Sequence, residues 1–397
     1  MAKLAAAAAI ALGALGVLGE AQAQGAKPIV VGSTLALTGP LSATGLVHKL
    51  VGEIYVDDLN RRGGLLGRKV EWKLMDDQSK PDLARTLYEQ LLTADKVDLL
   101  MGPYATGAIL SAIGVAQRYN KLLISHTMGI PSLAKYDMHF PAWSLGPNPQ
   151  ATVPTTVFDA VAQAPKPPKT VAIVTSKFPS VHFLSLGARE VFKQKGLTEV
   201  LFLEWEFGNR DFGPIAARVK DAKPDMVWSG DIGLEGNMLL EAMKKIDYVP
   251  PLHVHTYPAP GPMAAAPETD KALSLTIFEE HAPFTANPVA AQFVKTFKER
   301  ATAAGLPYTA VETQAAASFT AWRIFEASVV ATKSLDDRKM ADWLKTAQVP
   351  TIQGTLRFDR GNNFGDDLMR IKQVQNKAWV TVWPKQWAAP GATIKMP

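Results

Sequence analysis

A handful of short stretches carry residue types that could do chemistry. The segment MGPYATGA, Met101 to Ala108, follows the apolar run KVDLL and precedes a helical pattern, so an apolar strand ends in a loop of small residues. There Thr106, flanked by Ala105 and Gly107, offers a hydroxyl that could be a nucleophile, part of a phosphate cradle, or a ligand clamp at a helix start. Ser132 to Lys135, SLAK, has the S-x-x-K form of a serine acylase, but no S-D-N or K-T-G accompanies it and four-residue matches arise by chance. His253 and His255 in HVH share one face of a strand, a conceivable pair of metal ligands. No third His, Cys or carboxylate follows at ligand spacing, so no metal site is expected. Asp76 and Asp77 are adjacent, and neighbours in a strand point to opposite faces, which argues against joint acid–base work. The runs GNNFG and GLEG lack the strand and helix context of a nucleotide loop, and no G-x-x-x-x-G-K-[ST] occurs. No nucleophile and base pair remains for an enzyme, and no cofactor is implied.

The 397 residues exceed one typical domain of roughly 150, so two or three domains are expected. Hydrophobic residues make up 47% and charged residues 20%, a globular balance that excludes a disordered or fibrous chain. The 42 Lys and Arg against 37 Asp and Glu give +5, but the cations are spread along the chain, so no nucleic-acid face is expected. The start, MAKLAAAAAIALGALGVLGEAQAQ, has Lys3, an apolar run from Leu4 to about Leu18, and an A-x-A step at Ala21 to Ala23. It reads as a secretory signal over residues 1–23, because a membrane span needs about 20 apolar residues and this run is shorter. No Cys stands at that junction for a lipid anchor, and none occurs elsewhere, which suits a bacterial periplasm.

From Ile29 onward strand-like runs alternate with amphipathic helical patterns. PIVVGSTLAL leads into a helix over Leu46 to Asn60 that Gly63 and Gly64 stop; KVEWKLM, a helix marked by Leu83, Leu87 and Leu91, VDLLM, a helix over Ile109 to Tyr119, and KLLIS follow. The pattern restarts after FPAWSLGPNPQ with TVAIVTS, a helix over Phe183 to Lys195, EVLFLEWEF, a helix over Phe212 to Ala222, DMVWSG, a helix over Leu234 to Lys245, and LHVHTY. Repeated β/α units imply parallel sheets covered on both faces. LSLTIFEEH reads as a further strand, and three helical patterns, Pro288 to Ala304, Thr313 to Lys333 and Leu335 to Ala347, have no sheet of their own and most simply return to the first lobe. The tail from Gly354 is strand-rich and must pack on something already built.

At this point the chain resembles the type I periplasmic solute-binding proteins of ABC transporters, in the branched-chain amino acid (leucine/isoleucine/valine) binding family. The likeness rests on VGSTLALTGPLSATG, LNRRGGLLGRKVEWKLMDDQSKP, VDLLMGPYATGA, LLISHTMGIP and IQGTLRFDRGNNFG, taken jointly and in that order. It implies an α/β fold of two doubly wound parallel-sheet lobes joined by three hinge crossings, residues 27–145 plus 279–353 in lobe 1 and 146–278 plus 354–397 in lobe 2. It also implies a ligand in the cleft, closure about the hinge, and partners in the permease and ATPase of an inner-membrane importer. A monomer is expected.

In parallel α/β sheets ligands sit beyond the C-terminal strand ends, where helix N-termini offer unpaired N–H groups to an anion. Thr106 lies at one such end with Ala105 before it, and Thr127 at the next. The family uses these positions for its ligand carboxylate; the alternative for Thr106 is a plain helix cap. The chain departs from the amino acid pattern nearby. Gly129, preceded by Met128, stands where a hydroxyl residue is usual, His126 replaces a common Pro, and Ser180 stands near the usual place of an aromatic ligand cover. Asp231, at another usual contact position, could supply the ammonium partner that Gly129 does not. His126, Phe178 and Tyr257 could enclose something aromatic, or serve as ordinary packing. The implied function is capture of a small carboxylate, an amino acid of the branched-chain kind or a relative, for delivery to the permease. The alternatives are an aromatic or other non-amino organic acid, or ligand sensing by the same fold.

Overall fold

The computed structural model describes residues 27–306 and 308–396; the expected signal over residues 1–23 lies outside them. The first sheet has five strands, β1 (Ile29–Leu35), β2 (Val70–Asp76), β3 (Leu99–Met101), β4 (Leu123–Ser125) and β5 (His139–Pro141), in the order β2-β1-β3-β4-β5. Every pairing in it is parallel. The crossovers are α1 (Ser42–Arg61), α2 (Pro81–Thr93) and α3 (Thr106–Arg118). Parallel strands buried on both faces need continuous apolar runs, and the three residues of β3 and of β4 are all buried.

After α4 (Pro149–Val161) the second lobe builds β6 (Thr170–Ser176), α5 (Pro179–Gln194), β7 (Thr198–Trp205), α6 (Gly213–Ala222), β8 (Met226–Gly233), α7 (Glu235–Lys245), β9 (Leu252–Pro258), the short α8 (Pro260–Ala265) and β10 (Leu273–Thr276). The run LSLTIFEEH is therefore strand only in its first four residues. α4 was not foreseen, since Pro154 inside it and its run of β-branched residues both lower helix propensity.

The two parallel-sheet lobes are as expected, and the strand-rich tail adds an antiparallel edge to the second. The second sheet is mixed, in the order β14-β13-β10-β9-β8-β6-β7, because β13 (Arg370–Gln375) joins β10 antiparallel and pairs with β14 (Ala378–Trp383). The β13–β14 pair is antiparallel because a two-residue turn joins the strands, Asn376 and Lys377, whose φ values of 55° and 60° fit a hairpin and leave no room for a crossover.

Between β10 and β13 the chain runs through α9 (Pro288–Ala303), α10 (Thr313–Thr332), α11 (Asp337–Leu344) and the small hairpin of β11 (Val349–Thr351) with β12 (Gly354–Leu356). Both α9 and α10 pack on α1, but they part from there: α10 and α11 bury Trp322, Phe325, Val329, Met340 and Leu344 in the core of the first sheet, whereas α9 buries Ala290, Phe293, Phe297 and Ala301 in a core shared with strands of the second. Trp322 fastens α10 to the first sheet. It is fully buried, stacks with Tyr55 of α1 at 6.1 Å and meets Trp72 of β2 edge-on at 5.4 Å. Truncating such a residue leaves a cavity that the neighbours fill only in part, so Trp322→Ala should lower the unfolding free energy by about 3–5 kcal/mol. Urea titration followed by tryptophan fluorescence and circular dichroism measures it, and a loss below about 1 kcal/mol would show that the helix is held by other contacts.

Candidate ligand-binding cleft

A small cavity of about 20 Å³ lies where the two sheets' C-terminal strand ends face each other. Its first wall is the loop from β3 into α3. Gly102 follows the strand, and a Cβ there would sit 2.8 Å from the Ser125 Cα of the neighbouring loop. Ala105 then adopts φ +72°, a costly conformation for a residue with a side chain and one that clusters at functional sites. Ala105, not Thr106, holds the capping position of α3, and no side chain caps the helix. Thr106 is the first helical residue, 2% exposed, and its Oγ1 accepts a hydrogen bond from the Gly129 N–H at 3.2 Å. Its own hydroxyl proton stays free for another acceptor, so simple capping does not describe it. The next loop is pinned by Ser125, whose Oγ donates to the Thr127 carbonyl at 2.9 Å and pairs with His139 Nε2 at 2.8 Å.

The opposite wall is the start of α5. Phe178 precedes it, Pro179 takes its first turn, and Ser180 follows, again with no capping side chain and no acidic residue in the first turn. The same is true of α3. Two helix N-termini with unsatisfied N–H groups thus converge from the two lobes, a positive region made without any cationic side chain. The lobes meet here: a Cβ built on Gly129 would stand 2.5 Å from the Ser180 Cβ. Glycine at 129 is what lets the walls close. Leu35, Leu41, Tyr104 and Ala105 from the first lobe and Phe178, Val181 and Ile232 from the second bury together around the rim.

Of the residues singled out from sequence, Thr106, Ala105, Thr127, Gly129, Ser180 and Tyr257 line the cavity together. Asp231 does not. The pairing of β8 with β9 slips between Ser229 and Ile232, so one extra residue on β8 forms a bulge and turns Ile232 to the cleft. Asp231 turns inward instead, fully buried, with its Oδ2 2.5 Å from His255 Nδ1 and His255 Nε2 3.2 Å from His253 Nδ1. The HVH pair thereby gains a carboxylate that sequence spacing could not supply, but the three form a chain of hydrogen bonds. Among the described residues no group of three or more His, Cys, Asp or Glu could hold a metal ion. The adjacent Glu235, whose carboxyl burial raises to about 7, accepts from Trp205 Nε1 at 3.0 Å.

The sequence reading did not assign a site role to Tyr104, Met128, Trp143, Ile232 or Gln314, which complete the lining. Tyr104 could have been found, since it adjoins Ala105 in the quoted loop. Trp143 and Gln314 arrive from the link after β5 and from the first turn of α10, distant segments with no local signal. His126 and Phe178 lie just behind the lining: Phe178 tilts against Phe207 at 4.9 Å, and His126 against His48 at 4.7 Å. Burial lowers His126 to about 3 and also lowers His48, helped there by His126, so both imidazoles are neutral. Among the described residues that line the cavity, none is charged.

A family model described as periplasmic binding protein matches residues 28–378. A curated relative, the Leu/Ile/Val-binding protein BraC3 of Rhizobium johnstonii, is 28% identical over 211 residues, 53% of this chain and 56% of its own length. The chain thus spans about half the length of that relative in the match. Two solved structures share the fold at 18% identity: the leucine binding protein LivK of Thermotoga maritima, with a TM-score of 0.77 over 89% of this chain and 97% of its own, and a solute binding protein of an R. palustris ABC transporter in complex with benzoate, with 0.75 over 89% and 95%. With the family model covering most of its length, the chain belongs to the periplasmic binding protein family, as a type I member related to the Leu/Ile/Val-binding proteins.

Proposed function

We propose that this protein is the substrate-binding component of an ABC importer and that its ligand is a small carboxylate carrying no ammonium group. The observation that supports this reading is the uncharged lining. A carboxylate has two helix N-termini to accept it. An ammonium in the same closed space would have no carboxylate opposite it, since Asp231 is committed to His255 and Gly129 has no side chain, and an unpaired buried charge is expensive. The rings of Tyr104, Trp143 and Tyr257 with Met128 and Ile232 suit a flat or branched apolar body. The competing reading, a branched-chain amino acid, takes its support from the names of the Rhizobium and Thermotoga proteins; the benzoate complex supports the acid.

In this reading residues 1–23 are removed on export to the periplasm, the protein acts as a monomer, and the permease and ATPase complex of the inner membrane receives the ligand. The lobes would divide at 145/146, 278/279 and 353/354. Ties at these points are consistent with a hinge: Ser144 Oγ donates to Gln353 Oε1 at 3.0 Å, Gln353 Nε2 donates to the Ala142 carbonyl at 3.1 Å, and Thr313 Oγ1 accepts from the Ile277 N–H at 2.9 Å.

A thermal-shift and calorimetric panel of leucine, phenylalanine, isovalerate, phenylacetate and benzoate tests the ligand class. At least one plain acid should bind and its α-amino counterpart should not; binding of leucine alone would overturn the reading. Thr106→Ala should weaken binding of the cognate acid by roughly 10- to 150-fold, the value of a hydrogen bond to a charged group, with the fold unchanged by circular dichroism. An unchanged dissociation constant would remove Thr106 from the site. Gly129→Ala should leave the open form stable but force the closed walls apart, weakening binding by roughly 5- to 150-fold from an overpacking cost of about 1–3 kcal/mol. Solution scattering should then show less ligand-induced compaction than in the wild type, and equal compaction would refute the contact with Ser180.

A further inference from the structure

The carboxylate end uses only part of the cavity. Elsewhere in the lining, Trp143 Nε1, Tyr257 Oη and Gln314 Oε1 are buried polar atoms without a well-formed protein hydrogen bond, the Gln314 side chain standing beside the neutral His48 imidazole. Trp143 is 3% exposed and Gln314 4%. They come from three separate places, the link after β5, the end of β9 and the first turn of α10, so no single turn or cap explains them. The Trp143 and Tyr257 rings meet edge-on with centroids 5.8 Å apart. Folded proteins partner the great majority of their buried polar atoms, and several orphans around one small cavity mark a place where something else supplies the hydrogen bonds.

The chemistry of that partner can be read from the three atoms. Trp143 Nε1 can only donate, Gln314 Oε1 can only accept, and the Tyr257 hydroxyl can do either. Burial pushes the Tyr257 phenol up, with Tyr104 and then Asp367 adding in the same direction, so it stays protonated. An ether or ketone would leave Gln314 Oε1 unmet, and an N–H donor would leave Trp143 Nε1 unmet. A hydroxyl, which donates once and accepts, meets both. Resting on the carboxylate reading above, we propose that the wall formed by Trp143, Tyr257 and Gln314 is a second polar subsite that receives a hydroxyl group, and that the ligand is a hydroxy-substituted aromatic carboxylate. The aromatic body follows from the Tyr104, Trp143 and Tyr257 rings that border the space between the two polar ends.

A site built to hydrogen-bond a substrate hydroxyl discriminates strongly against the analogue that lacks it, because its own buried groups then go unpaired. Isothermal titration calorimetry with benzoate, 3-hydroxybenzoate, 4-hydroxybenzoate and 3,4-dihydroxybenzoate as probes tests this on the mature protein. At least one hydroxylated probe should bind about tenfold or more tighter than benzoate, the worth of one well-made buried hydrogen bond. Tyr257→Phe, and separately Trp143→Phe, should cut that preference to about threefold or less, the ratio of hydroxybenzoate to benzoate affinity being the readout because both rings also border the aromatic body. Equal binding of benzoate and every hydroxylated probe overturns the subsite and leaves the carboxylate reading standing, as does a Tyr257→Phe variant that weakens benzoate and hydroxybenzoate alike. Leucine binding with no benzoate bound at all overturns the carboxylate reading and the subsite with it.

Discussion

Two helix N-termini, each without a cap and without an acidic residue in its first turn, face each other across the cleft. Positive dipole ends at close quarters are tolerable when something negative lies between them, and much of the local architecture serves that geometry. β3 has only three residues, so α3 begins just beyond the edge of the sheet. The unfavourable backbone at Ala105 starts the helix without a capping side chain, which would otherwise occupy the free N–H groups. Pro179 sets the first turn of α5 in the same way and has no N–H to spend there. The positive field belongs to the backbone, so it survives any change of side chain on the cleft that keeps the two turns in place.

The charged groups near the cleft are kept out of it by pairing elsewhere. Asp231 and Glu235 lie under the second lobe's floor, the first against His255 and the second against Trp205, Ser176 and the Ile232 N–H. Lys372 is almost fully buried between Glu279, at 2.8 Å, and the more distant Glu312, while Glu312 caps α10 through the Gln314 and Ala315 N–H groups. That cap starts the turn from which Gln314 reaches the cavity. A pocket with an uncharged lining is therefore bordered by buried carboxylates held in hydrogen bonds and by the Lys372–Glu279 ion pair.

Much of this was legible in the sequence, for definite reasons. The alternation of apolar runs with helical spacing is strong wherever a strand is buried on both faces, so β1, β6 and β8 and helices such as α6 and α10 stand close to where periodicity puts them. The residues of MGPYATGA and the loop at Thr127 converge because parallel topology leaves strand ends on one side. Asp231 escaped the same reasoning since a single extra residue in β8 reverses which side chain faces the cleft, and a bulge leaves no mark in hydrophobic periodicity. Trp143 and Gln314 escaped because a site assembled from segments some 170 positions apart is a property of the packed chain. The β13–β14 hairpin was announced only as a strand-rich tail, its partner strand lying about a hundred residues upstream.

The long excursion between β10 and β13 also bears on how the molecule can be made. The first sheet depends on α10, more than 170 residues after β5 ends, and the second sheet stays incomplete until β13 and β14 arrive at residues 370–383. Neither lobe is therefore a vectorial unit that can mature behind a growing end; both close in the same late event. Contacts of such high sequence separation slow folding, because chain entropy is lost before the contacts repay it. A polypeptide wired this way stays pliable until its final segment is released, a kinetic delay written into connectivity.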